Sequence, residues 1–147
     1  MKITAILIVI CGALSGYELV PASLTVGISR INGPEISSSI VYNHAKFIDT
    51  GTWKYAWEIG PALRAAVGLY GTEFGLGYRF GQRSKFGPTS FTGLLNAGKS
   101  YGEKGLANGD DPRIGGLLLF NAMLFEVGCG YYNDESFDLK AGLSFYL

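Results

Sequence analysis

The chain has 147 residues, 48% hydrophobic, 14% aromatic and 16% charged, with 22 glycines and a formal net charge of zero. A soluble domain usually carries about 25% charged residues, so part of this surface is expected to face something other than water. A neutral chain has no basic field to draw in nucleic acid, and no recognition motif for it stands in the sequence, so nucleic acid is not an expected partner.

The amino terminus reads as an export signal. Lys2 supplies a positive start, Ile3 to Leu14 form an apolar run, and Val20-Pro21-Ala22 offers small residues ahead of a cut before Ser23. The run is shorter than the roughly 20 residues a spanning helix needs. Residues 1–22 are therefore assigned to a signal peptide and 23–147 to one mature domain. Loss of the signal removes Cys11 and leaves Cys129 alone, so no intrachain disulfide is expected.

From Ser23 onward the hydrophobic period is two, which marks β-strands. Alternation places them at 23–31, 36–48, 52–60, 62–71, 73–81, 90–101, 113–120, 123–132 and 137–147. Between them, Asn32-Gly33-Pro34-Glu35 and Gly60-Pro61 read as turns, and Gly102 to Pro112 as the longest polar loop. Pro61 to Leu69 contains helix-forming alanines but also alternates cleanly and carries Gly68, which favours strand. No stretch reads as a long amphipathic helix.

Nine segments conflict with the even strand number of a bacterial membrane barrel. The apolar phase changes at Gly71-Thr72-Glu73, from Leu63, Ala65, Val67 and Leu69 to Phe74, Leu76, Tyr78 and Phe80. Read as a β-bulge, this junction merges two segments and leaves eight strands. The loop at 102–112 then falls on the outer side and a tight turn near Asn121-Ala122 on the inner side.

The two faces of these strands differ sharply. One carries Trp53, Tyr55, Trp57 and Ile59; then Phe74, Leu76, Tyr78 and Phe80; then Phe125, Val127, Cys129 and Tyr131; then Phe137, Leu139, Ala141, Leu143, Phe145 and Leu147. The opposite faces carry Lys54, Glu58, Arg64, Glu73, Arg79, Glu126, Asp138 and Lys140, four of each sign, among glycines. A barrel of about eight strands is just narrow enough to be filled by side chains, so balanced charges suit a paired polar lumen without an open pore. The expected fold is all-β, an antiparallel up-and-down transmembrane β-barrel of eight strands. Trp53, Tyr55, Trp57, Tyr78, Phe80 and Phe145 are expected to form an interfacial girdle, because indole and phenol rings favour the headgroup level. The competing reading is a soluble antiparallel sheet whose polar face meets water.

The segment Phe74-Gly75-Leu76-Gly77-Tyr78-Arg79-Phe80 and the terminal strand ending Phe145-Tyr146-Leu147 resemble the small eight-stranded outer-membrane barrels of Gram-negative bacteria, the OmpA-transmembrane and OmpX/Opa-like group. The resemblance covers about residues 23–147. It implies an outer-membrane location, contact with outer-membrane lipids, a monomeric barrel and recognition of the last strand by the assembly machinery. Leu147 stands where that group more often ends in phenylalanine.

Chemical motifs are few. His44 is the single histidine, and no HExxH, CxxC, phosphate-cradling loop or dinucleotide fingerprint occurs, so neither metal nor cofactor is expected. His44 and Ser38 share a face but stand six residues apart, about 20 Å at strand rise, too far for a nucleophile and base. Cys129 reads as a small hydrophobe. The expected role is a non-catalytic outer-membrane barrel that anchors, stiffens the membrane or meets partners at its surface. The alternatives are a lipid-modifying barrel enzyme and a soluble exported barrel that binds an apolar ligand.

Overall fold

Alternation gives every strand two chemically opposite faces, and such a sheet hides one face from its surroundings by curling until its edges meet. The computed structural model describes residues 19–42, 47–49, 54–84, 87–101 and 112–146 of the protein. Its strands are β1 (Leu19–Ser29), β2 (Gly33–Tyr42), β3 (Phe47–Asp49), β4 (Lys54–Gly68), β5 (Gly71–Ser84), β6 (Gly87–Ser100), β7 (Arg113–Ala122), β8 (Phe125–Tyr132) and β9 (Phe137–Tyr146). Neighbours pair antiparallel throughout, and the ring closes through β1 with β9 and β2 with β4. Strand β3 sits on β4 in the register that β2 already set, Phe47 opposite Ala56 as Val41 is opposite Ala62. β2 and β3 are thus one interrupted strand, and the barrel has eight.

The surplus junction is not the one expected from sequence. Gly60 and Pro61 lie inside β4, opposite Arg79 and Tyr78, and not in a turn. Pro61 has no N–H to give, and it stands where the β2 ladder along β4 ends, at Val41 opposite Ala62. Conversely, Gly71-Thr72-Glu73 is no bulge. β4 ends at Gly68, Leu69 and Tyr70 make a bend, and Gly71 opens β5, so the phase change marks a chain reversal. The β1–β2 turn occupies Arg30 to Asn32, earlier than the sequence suggested, and Glu35 belongs to β2. The β7–β8 turn is Met123-Leu124, with Met123 at φ 56. Strand β1 starts at Leu19, inside the segment assigned to the export signal, with a bulge between Val20 and Ser23.

The turns at 30–32, 69–70 and 133–136, the end of β6 at Ser100 and the start of β7 at Arg113 share one end of the barrel, called here the upper end. The 123–124 turn, the start of β1 and the end of β9 share the other. The β1–β2 turn folds inward over the upper end: Ile31 packs on Tyr132, and Asn32 is fully buried.

Glycine makes this packing possible. A Cβ at Gly77 or Gly115 would collide with the backbone carbonyl of Gly93 or of Tyr131 on the next strand. A Cβ at Gly75 would crowd Leu94 at 3.2 Å, and one at Gly142 would lie 2.8 Å from Thr25 Cγ2. Gly116 differs, because a Cβ there meets nothing within 4 Å. Gly115→Val should therefore destabilise the folded barrel by about 1–3 kcal/mol, whereas Gly116→Ala should stay within about 0.5 kcal/mol of the parent. Urea unfolding in detergent micelles reads both, and equal stability of the two variants would contradict the packing described.

Candidate functional site

Alternation carries the charged positions of six strands into the barrel. Arg64 on β4, Glu73 and Arg79 on β5, Glu126 on β8, and Asp138 and Lys140 on β9 are all buried, from Asp138 at 0% exposure to Lys140 at 5%. Lys54 and Glu58 belong to β4 by backbone, and their side chains lie outside the described residues. Glu35 of β2 and Arg113 of β7, which the sequence did not single out, join the interior. Among the described residues, the buried charges are thus Arg64, Arg79, Arg113 and Lys140 against Glu35, Glu73, Glu126 and Asp138.

Six of these groups are ion-paired across the lumen. Lys140 Nζ lies 2.9 Å from Glu35 Oε2, 2.9 Å from Glu73 Oε2 and 3.0 Å from Asp138 Oδ2. Arg64 Nη2 lies 3.0 Å from Glu35 Oε1 and 3.5 Å from Glu126 Oε1, with Nη1 3.8 Å from Glu73 Oε2. In the ring order, β9 stands opposite β5 and β4 opposite β8. The Lys140–Glu73 and Arg64–Glu126 pairs therefore span the full width of the barrel.

Neutral polar groups complete the network. The Tyr132 hydroxyl donates to Glu73 Oε1 at 2.9 Å and accepts from Asn96 Nδ2 at 2.9 Å. Asp138 accepts from Ser29 Oγ at 2.9 Å and from the Ile31 amide at 3.1 Å, which ties the β1–β2 turn to β9. Asn32 links Glu35 to Arg113, and the Arg113 guanidinium lies 5.4 Å above the Tyr132 ring. Nearer the lower end, Arg79 Nε donates to Thr92 Oγ1 at 2.9 Å, and Asn121 Nδ2 donates to Glu126 Oε2 at 3.0 Å. Beside this network, Val41, Ala62, Leu94, Leu117 and Leu119 form an apolar interior cluster.

The outer face is the inverse. Phe91 is 64% exposed, Leu95 68% and Leu118 65%. Of the aromatic residues singled out from sequence, Tyr78, Phe80 and Phe145 face outward. Tyr55 and Trp57 are in β4 by backbone, and their side chains, with all of Trp53, lie outside the described residues. Outward aromatics gather towards the upper end as Phe74, Tyr101, Tyr131 and Phe137, and towards the lower end as Tyr42, Phe80, Phe91, Phe125 and Phe145. Leu63, Leu76, Leu95 and Leu118 fill the belt between them. Phe91 stacks on Phe120 at a centroid distance of 4.7 Å. Cys129 is a free, exposed thiol on this face.

Ser37 and Ser39 point into the lumen, where Ser37 accepts from Arg64 Nη2 at 2.9 Å and Ser39 pairs with Ser23 at 2.6 Å; Ser38 is on the outer face. His44 lies outside the described residues. Among the described residues, no group of His, Cys, Asp and Glu is placed to hold a metal ion. No protein-family model, curated protein or solved structure matches the chain.

A buried ion pair broken from one side leaves an uncompensated charge, which costs about 3–5 kcal/mol. Lys140→Met should lower the unfolding free energy by that amount, because Glu35, Glu73 and Asp138 lose a shared cation. Adding the isosteric Asp138→Asn should recover part of the loss, with a coupling of about 0.5–3 kcal/mol in a double-mutant cycle. Strict additivity would show that the pair is not coupled.

Proposed function

We propose that this protein is a small non-catalytic outer-membrane β-barrel that anchors in and stiffens the lipid layer and does not conduct solutes. The inversion of polarity carries this reading: eight balanced charges are buried inside, while large apolar side chains cover the outside. In water, such an outer face would be a continuous apolar surface far beyond the few hundred Å² that soluble monomers expose. In a bilayer it is the required solvent-facing surface, and a closed ring leaves no backbone group unpaired in hydrocarbon.

Dimensions support the same reading. The outward face of β4 runs apolar from Ile59 to Val67, and Leu69 in the bend continues it. Eight residue steps at about 3.3 Å, tilted by about 40°, rise roughly 20 Å, close to the apolar band of about 25 Å of membrane barrels. Among the described residues, exposed charged side chains appear only at the upper margin, as Arg30 in the β1–β2 turn, Lys99 on β6 and Glu135 in the β8–β9 turn. The aromatic residues near both ends fit the two interfacial girdles such barrels carry.

The ion pairs that cross the lumen argue against transport and for a structural or surface-presenting role, with exposed turn residues such as Leu69, Asn133 and Glu135 at the upper end as the surface on offer. Membrane fractionation with heat-dependent gel mobility tests the reading. The protein should sediment with outer membranes and migrate differently before and after boiling, and Leu76→Arg should cost about 2–4 kcal/mol of stability if it lies near the bilayer midplane. A freely soluble protein with ordinary mobility would overturn it.

A further inference from the structure

Most outward positions of the belt carry an apolar side chain, and among the described residues Gly93 on β6 and Gly116 on β7 are the two outward belt positions that carry no side chain. The register sets each opposite a leucine of the neighbouring strand, Gly93 against Leu118 and Gly116 against Leu95. Neither glycine is demanded by packing: a Cβ at Gly93 would touch only Leu118 Cδ2 at 3.6 Å, and one at Gly116 would touch nothing within 4 Å. The missing side chains open a groove of about 470 Å³, walled by Leu95, Leu118, Cys129, Tyr131 and Phe137. That volume lies within the range of about 300–1,000 Å³ seen for small-ligand sites.

The groove slants from the margin into the belt. Phe137 is the first residue of β9 at the upper end, Tyr131 is next to last on β8, Gly116 is three residues into β7, and Leu95 is five residues in from the end of β6. At the marginal end stands Arg30, exposed on the outer face, whose Nη1 donates to the Phe137 carbonyl at 3.2 Å. Arg30 makes no ion pair with a carboxylate among the described residues, so its remaining donors face the surroundings. A cation at the rim of an apolar trench that runs inward from the headgroup level has the polarity of an anionic lipid. A protein partner is less well matched, since a stable protein interface buries more than about 1,000 Å² and this groove engages only a few side chains.

We propose that the groove and Arg30 together bind one anionic phospholipid, with an acyl chain lying over Gly93 and Gly116 and the phosphate on the Arg30 guanidinium. The proposal rests on the reading that the outer belt faces lipid. The phosphate of such a lipid accepts charge-assisted hydrogen bonds from the guanidinium, while the chain replaces the side chains that the two glycines lack.

The full chain, reconstituted into vesicles of phosphatidylcholine with a minor share of phosphatidylglycerol and then released into mild detergent, tests this by native mass spectrometry. The parent protein should retain one phosphatidylglycerol in preference to phosphatidylcholine. Arg30→Gln, which removes the cation, and Gly116→Leu, which fills the groove, should each lower that retention about tenfold, the effect of one charge-assisted contact. Lys99→Gln, which removes the outward cation on β6, should leave it unchanged. Vesicle flotation and heat-dependent mobility on the same samples report insertion and folding of every variant. If all float and none discriminates between the lipids, or if Arg30→Gln retains phosphatidylglycerol like the parent, the lipid site is wrong while the membrane reading stands. If the parent does not float, both fail.

Discussion

Taking a charged side chain out of water costs several kcal/mol even after the protein relaxes around it. Eight such groups inside one narrow barrel are tolerable because four carry each sign and six of them are ion-paired across the lumen. Lys140 sits among three carboxylates and Arg64 among another set of three, with Glu35 and Glu73 shared between the two cations. The arrangement of the strands serves that sharing: partners on opposite walls reach one another only because eight strands make so tight a ring. Glycines at Gly75, Gly128 and Gly142 give Leu94, Leu119 and Thr25 room beside the network.

The apolar interior cluster does not contradict this polarity. Val41, Ala62, Leu94, Leu117 and Leu119 fill space that no charge occupies. The described interior therefore has an ionic part and an oily part. In a soluble ligand carrier the oily part would be a cavity and the charges would face water, whereas here the charges are buried beside an apolar cluster.

The fold class was legible because strict alternation needs only the sequence, as at Phe137 to Tyr146, whose burial follows the written pattern residue by residue. What failed was local punctuation. Gly60-Pro61 carries the residues of a turn, yet tertiary pairing holds it in a strand, at the point where its neighbour on one side has stopped. The same kind of signal at Asn32 to Glu35 placed Glu35 in a turn and hid its role as the acceptor shared by Arg64 and Lys140. Arg113 was missed for a different reason. On β7 both faces carry leucine, Leu117 and Leu119 inward and Leu118 outward, so period two gave no contrast from which to tell which face Arg113 shared. Tyr132 was not recognisable either, since its partners come from β5 and β6 and no spacing within β8 announces them.

The seam between β1 and β9 joins the first strand of the chain to the last. Thr25 meets Ser144 at 2.6 Å across 119 residues of sequence, and Ser29 meets Asp138 across 109. No part of this seam exists until the final strand has been made. Until then, the outer edges of β1 and β8 are open ladders, each able to accept a foreign strand. Contacts this distant also delay folding, because the entropy of closing the loop is lost before the contact can repay it. The barrel is in this sense closed by β1 and β9, and a nascent chain has to be kept from pairing elsewhere until Phe137–Tyr146 has been made.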